Sequence, residues 1–158
     1  MFVSQTVVSY LDRLGIEHEM VTHPHTACSG ETAHAAKIEP KQLAKGVLLR
    51  SNDDFVLAVV PASRYVDPLA LQRLLGSERV TFASEEDMPF IFRDCETGAV
   101  PIVGEAFGVK TAVDDTLLNM RDVYFEAGDH EHLVHVHHEA FMRLLGGVPH
   151  GSICHRAA

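Results

Sequence analysis

Two apolar runs, Val47-Leu48-Leu49-Arg50 and Phe55-Val56-Leu57-Ala58-Val59-Val60, flank the polar tetrapeptide Ser51-Asn52-Asp53-Asp54. Asn and Asp tolerate the backbone of a tight turn, and β-branched residues favour extended chain, so the segment predicts a hairpin. A hairpin inside a chain of 158 residues excludes an all-parallel sheet. Later apolar segments near 110–113, 122–126 and 133–137 read as strands, as does 17–22, and hairpin signals outnumber strand–helix–strand signals. The expected fold class is α+β: a curled, largely antiparallel mixed sheet with helices around it.

The helices have their own signals. Val3, Val7, Leu11 and Leu14 recur at helical spacing until Gly15 stops the pattern. Ser29 to Lys37 reads as a short alanine-rich helix with Ser29 and Thr32 as candidate caps, ended by Pro40, which opens one more turn over Lys41 to Ala44. Asp67-Pro68 caps a helix carrying Leu69, Leu71, Leu74 and Leu75, closed by Gly76. Glu85-Glu86-Asp87 starts another, and Phe141, Leu144 and Leu145 mark a last one before Gly146-Gly147. With no repeat or linker, residues 1–147 form one expected domain and 148–158 an expected frayed tail.

Composition narrows the function. The net charge of −9 argues against a non-specific nucleic-acid binder, but leaves room for a local basic patch such as Lys37, Lys41, Lys45 and Arg50 at a nucleic-acid end. No apolar run approaches the roughly 20 residues of a membrane span, and Met1-Phe2-Val3-Ser4-Gln5 lacks the features of a signal peptide. The three cysteines, Cys28, Cys95 and Cys154, make no CxxC pair, so the expectation is a cytoplasmic protein with reduced thiols.

Several groups could carry chemistry. Five of the 11 histidines fall between Gly128 and Glu139. His135 and His137 would share a strand face, a spacing metals accept, but Leu133, Val134 and Val136 interrupt the run and HExxH is absent. Solvated strand and turn histidines are the expectation, with no metal and no cofactor. Cys95 and Cys28 lack a nucleophile signature, and Ser63 lacks a GxSxG context. Lys45 lies where a polar segment meets an apolar strand. It reads either as a surface lysine whose stem covers Leu43 or Val47, or as a charge held at a strand mouth. The segment Arg93-Asp94-Cys95-Glu96-Thr97-Gly98-Ala99-Val100-Pro101-Ile102-Val103-Gly104 is a glycine- and proline-bounded loop. Its glycines either serve tight turns or free backbone N–H groups for an oxyanion.

Four segments in order resemble the YbaK/ProX/EbsC family of aminoacyl-tRNA editing domains: Ala44 to Leu49, Val59 to Asp67, Asp94 to Pro101 and Phe125 to His130. The resemblance runs from about the first helix to Leu145. It implies a mixed sheet with surrounding helices and a free-standing enzyme that hydrolyses the ester between a wrong amino acid and the 3′-terminal adenosine of tRNA, without a metal. The family's lysine falls on Lys45 and its glycine-to-proline loop on Gly98, Ala99, Val100 and Pro101. Lys45 would hold a phosphate or the substrate carbonyl, or act as a base of lowered pKa. The loop would face the amino-acid carbonyl, Asp94 would orient it, and Gly128 and His130 would line the pocket. The substrate side chain would be small, such as alanine, cysteine or serine, and the partners would be the acceptor end of aminoacyl-tRNA and, as a second candidate, an aminoacyl-tRNA synthetase. The chain departs from the family at Gly46, where many members carry threonine, serine or asparagine, and at Ile102, where many carry a second proline. Gly46 keeps alive an alternative, a silent module that binds a tRNA end or aminoacyl adenosine.

Overall fold

The computed structural model describes residues 2–156. In chain order the elements are α1 (Gln5–Leu14), β1 (Glu19–Thr22), α2 (Ser29–Ala35), β2 (Leu43–Ser51), β3 (Asp54–Pro61), β4 (Arg64–Val66), α3 (Pro68–Leu75), β5 (Val80–Phe82), α4 (Met88–Ile91), β6 (Lys110–Asp114), α5 (Asp115–Leu118), β7 (Asp122–Glu126), β8 (His132–His137), α6 (His138–Leu145), β9 (His150–Gly151) and β10 (Cys154–Arg156). Short 3₁₀ turns cover Pro40–Gln42, Glu85–Asp87 and Gly104–Phe107.

The main sheet runs β1-β8-β7-β2-β3-β6-β9, with β5 also on β2, while β10 and β4 form a separate pair. The sheet is mixed, as expected: β2–β7, β3–β6 and β6–β9 are parallel and the other pairings antiparallel. The hairpin joins β2 to β3 in register from Ala44↔Pro61 to Ser51↔Asp54. Asn52 makes the turn at φ 56°, and its Oδ1 accepts from the N–H groups of Glu78 and Arg79.

On its other side β2 is shared. β7 pairs only with Leu43 and Ala44, and β5 only with Leu49, Arg50 and Ser51. The stretch Lys45 to Leu48 therefore lies in a gap between two partner strands, and the candidate site is built around it.

Strand alternation sends successive β3 residues to opposite cores. Val59 joins Val7, Leu11, Phe125 and Phe141 beneath α1 and α6. Val56, Ala58 and Val60 join Leu71 and Ile153 beneath α3 and the C-terminal segment. Ser4 caps α1 by accepting from the Val7 N–H, and Gly15 closes it at φ 65°. Asp67 caps α3 by accepting from Leu69 and Ala70.

Two expectations are corrected. The segment after Val148 does not fray over the described residues. β9 adds to β6 and β10 to β4. Ile153 is fully buried and donates its N–H to Asp114 Oδ1 at 2.9 Å. One apolar side chain with a core position to fill holds the tail down. The N-cap of α2 is Cys28, with no side-chain cap bond. Thr32 instead turns its hydroxyl back to the Cys28 carbonyl at 2.9 Å.

Candidate functional site

Lys45 and Gly46 sit side by side in the gap of β2 and so face opposite sides of the sheet. The Lys45 ammonium lies 4.9 Å from the centroid of the Tyr65 ring, a cation–π contact. The side chain is half-buried and makes no ion pair among the described residues. Burial lowers its pKa, and Cys154 only partly offsets this. A desolvated ammonium without a carboxylate has unspent capacity for an anionic or carbonyl oxygen.

Gly46 faces the loop. A Cβ at this position would lie 3.0 Å from Leu57 Cδ1 and 3.2 Å from both the Pro101 carbonyl oxygen and Val100 Cγ1. The missing side chain is therefore matched by a close approach of the loop backbone. Ala99, Val100 and Pro101 are buried, whereas Thr97 and Gly98 form the exposed tip.

Asp94 anchors the loop to the start of α1. Its carboxylate accepts from Ser4 Oγ at 2.8 Å, from the Thr6 N–H at 2.9 Å and from Thr6 Oγ1 at 3.0 Å. Burial alone would raise its pKa, but these bonds outweigh burial and leave it lowered. The Glu96 N–H donates to the Gly128 carbonyl at 2.8 Å, tying the loop to the turn after β7. Gly128 is buried at φ 104°, and a Cβ there would sit 3.0 Å from Ser4 Cβ and 3.2 Å from Cys95 Sγ. Its place is in the packing between loop and turn.

Gly98 has φ 86°, a left-handed conformation that favours glycine. A Cβ there would lie 3.4 Å from His130 Cε1. Ala99 donates to the Glu96 carbonyl at 3.0 Å, so its N–H is committed, whereas the N–H groups of Gly98 and Val100 have no partner among the described residues. His130 is itself left-handed at φ 61°, which costs a non-glycine residue about 1–2 kcal/mol. Its Nε2 lies 2.6 Å from the Thr97 carbonyl. A carbonyl can only accept, so Nε2 carries the proton and Nδ1 is the ring's free position. His25 stands 5.2 Å away, ring to ring. A depression of about 560 Å³ opens here, lined by His25, Ala27, Cys95, Glu96, Thr97 and His130.

The structure thus brings Asp94, Gly98, Gly128 and His130 together. Lys45 lies over Tyr65 and is not among the residues that line the depression beside His130. A larger depression, of about 680 Å³, is lined in part by Phe55, Phe90 and Phe107, and it includes neither Lys45 nor Gly98. Cys95 is no nucleophile: burial and then the Asp94 carboxylate push its thiol up to about 12, so thiolate is scarce at neutral pH.

Two residues escaped the sequence reading. Asp129 is buried and accepts from the Glu131 N–H at 3.0 Å, the His132 N–H at 2.9 Å and His132 Nδ1 at 2.6 Å, shaping the turn that presents His130. Glu126 is also buried, and its Oε2 has no hydrogen-bond partner among the described residues. Burial pushes its pKa to about 7, with His130 opposing and Asp129 reinforcing the rise. The available signal was alternation: Val123, Phe125 and Ala127 fill the core, which leaves Glu126 on the other face of a central strand.

The aminoacyl-tRNA editing domain family matches residues 23–144. No curated protein matches the sequence. Among solved structures, hypothetical protein APE2540 superimposes with a TM-score of 0.84 at 17% identity, covering 96% of this chain and 100% of its own. A candidate trans-editing enzyme for prolyl tRNA synthetase gives 0.81 at 21% identity, covering 99% of this chain and 100% of its own. A candidate signal transduction protein from Marinobacter aquaeolei VT8 gives 0.76 at 16% identity, covering 97% of this chain but 31% of its own, so there the fold is part of a longer chain. These structural likenesses establish the mixed α/β fold. The family match extends over most of the sequence and takes in Lys45, the 94–104 loop and His130: the chain belongs to the aminoacyl-tRNA editing domain family.

Proposed function

We propose that the protein is a trans-editing hydrolase that deacylates mischarged aminoacyl-tRNA at the ester of the 3′-terminal adenosine. The observation that carries this reading is the exposed Gly98 tip. The Gly98 N–H, without a partner among the described residues, stands at the exposed tip beside the His130 ring in a chain of the editing family, and the Val100 N–H two residues on is likewise unpartnered. Such donors stabilise the oxyanion of a tetrahedral intermediate.

An aminoacyl ester is already activated, so the protein's work is to position the ester and stabilise charge. Water attacks the carbonyl carbon, negative charge gathers on the carbonyl oxygen, and the ribose oxygen leaves with a proton. The neighbouring ribose hydroxyl can orient or deprotonate that water. Lys45 holds the terminal phosphate or the carbonyl from the Tyr65 side of the gap. His130 Nδ1 is free to accept a proton or a hydrogen bond from water or ribose. Asp94 acts through the loop it anchors. None of these steps requires a metal.

The amino acid is small, with alanine, cysteine and serine as candidates. Gly46 offers no hydroxyl or amide, and the loop closes on it, so the wall there is hydrocarbon and carbonyl. Hydrophobic walls separate side chains by only about 1–3 kcal/mol per methylene. The fold likeness to a candidate trans-editing enzyme for prolyl tRNA synthetase makes proline tRNAs the first to try.

The tRNA acceptor end would meet a local cluster of cations. Of the patch suggested by the sequence, Lys41 is paired with Glu39 at 3.1 Å and Arg50 with Asp87 at 3.4 Å. Lys41, Arg64 and Arg156 line a shared depression of about 480 Å³. It borders β4, whose exposed Tyr65 lies under Lys45, and suits phosphate contact followed by stacking of a terminal base. Among the described residues no helix is long and apolar enough to cross a membrane.

The test is deacylation of a panel of tRNAs charged with alanine, cysteine, serine or the matching amino acid, read against a no-enzyme control. Hydrolysis of at least one mischarged member supports the reading. Binding of the acceptor end without hydrolysis of any member would instead indicate a silent binding module.

A further inference from the structure

We propose a divalent transition-metal site on the β1–β8–β7 face, built from Asp122, His135 and His137 and suited to Zn²⁺. The three residues place one ligand atom each within 4.8 Å of one another. His135 Nε2 lies 2.8 Å from Asp122 Oδ1, and His137 Nδ1 lies 2.9 Å from the same oxygen. Two imidazoles from one strand are aimed at a single carboxylate oxygen of the next.

The sheet dictates this convergence. His135 and His137 are two residues apart on β8 and share a face. Asp122 on β7 is the direct cross-strand partner of His137. In a tetrahedral site with bonds of about 2.0–2.1 Å, ligand atoms stand about 3.3 Å apart. Each ligand pair with Asp122 needs to open by only about 0.5 Å, a small rotation of the half-buried Asp122 carboxylate and the exposed His137 ring, with His135 held in place. The remaining positions are open to water, since His137 is largely exposed.

His135 has the surroundings of a metal-bound imidazole. Its ring stacks on Tyr124 with centroids 4.4 Å apart and planes 8° apart, which fixes its orientation. Its other nitrogen, Nδ1, lies 3.5 Å from the Glu19 carboxylate on β1, and Glu19 is the cross-strand partner of His135. A ligating histidine characteristically gives its second N–H to such a carboxylate, which sets the tautomer and strengthens the ligand. Three adjacent strands thus supply the ligands and their support.

The site is remote from the proposed chemistry. Asp122 and His137 lie at the α6 end of the β7–β8 pair, whereas Glu126 and the His130 turn lie at the other, four strand residues or about 13 Å away. A metal here would clamp β7 and β8 together and leave the ester untouched.

The test uses the full, untagged chain, stripped with chelator and dialysed. Zn²⁺ is titrated by calorimetry, and Co²⁺ is used as a spectroscopic probe of coordination. One equivalent of Zn²⁺ should bind and raise the melting temperature. His137→Ala, a change at an exposed side chain, should weaken binding by at least tenfold. Glu19→Gln, a change of the supporting carboxylate alone, should weaken it by about 10–100-fold. His150→Ala removes a histidine from a different aspartate pair, His150–Asp115, and should change nothing. Absence of a stoichiometric site, or binding indifferent to His137→Ala and Glu19→Gln, would overturn the proposal.

Discussion

Glu126 makes a quantitative prediction. Its carboxyl group is buried, one oxygen has no partner among the described residues, and burial lifts its pKa from 4.5 to about 7. At roughly 1.36 kcal/mol per pKa unit, ionising it in the folded protein costs about 3 kcal/mol more than in the unfolded chain. The sign follows from proton counting. Between about pH 4.5 and 7 the folded state holds a proton that the unfolded state has lost, so this group's contribution falls as pH rises through that window. Below the window the contribution is fully present, and above it the loss is complete. Glu126→Gln supplies a neutral side chain of the same shape at every pH. The variant should therefore match the wild type at pH 4 and exceed it at pH 8.5 by about 3 kcal/mol, or about 6–12 °C in melting temperature for a domain of this size. Thermal melts of both proteins across pH, compared as differences so that other titrating groups cancel, check this. A difference that stays constant with pH, or one that grows toward acid, would refute the account of Glu126.

Other predictions concern the site. Lys45→Ala should leave the fold intact and lower ester hydrolysis roughly 100-fold, the scale for losing one charge-stabilising donor. Lys45→Arg should also lose rate: a guanidinium can stack on Tyr65, but it is larger and does not present a compact point charge to the substrate oxygen. Gly98→Val should lower both rate and melting temperature. The positive φ imposes about 1–2 kcal/mol of strain on any side chain, and the new side chain stands against His130. Rate measurements on the fraction still folded separate the two effects, and a normal rate there would remove Gly98 from the site. Binding of tRNA should be weak with a shallow salt dependence, a log–log slope of about −2 to −4 for three to five contacts near single-stranded ends. A much steeper slope would mean a footprint far beyond Lys41, Arg64 and Arg156.

What the sequence made legible was what local pattern determines. Ser4 and Gly15 bracket α1 because caps and apolar spacing are written within one turn of each other. The β2–β3 hairpin was legible because its turn and both strands are contiguous. The short strands β5, β9 and β10 carry no periodicity of their own and exist because a neighbouring edge accepts them. Ile153 looked like part of a frayed end because its core position is supplied by residues far earlier in the chain. The candidate site divides in the same way. The glycine tip and Lys45 stand out by residue type. The anchoring of Asp94 by Ser4 and Thr6 spans some 90 positions of sequence, and no local pattern announces it. Glu126 resembles any strand glutamate until the turn at Asp129 and the helix α2 cover it. Gly46 looked like a lost side chain, whereas the structure brings the Pro101 carbonyl into the space a side chain would need.

The central claim is that the Gly98 tip, His130 and Lys45 together hydrolyse a small aminoacyl ester. The most direct measurement is single-turnover deacylation of a proline tRNA mischarged with alanine, beside the same tRNA charged with proline, using wild-type and Lys45→Ala protein. The account predicts rapid release of alanine by the wild type, an intact prolyl ester and a slow variant. Wild-type rates equal to the no-enzyme control for alanine, and likewise for cysteine and serine, would contradict it.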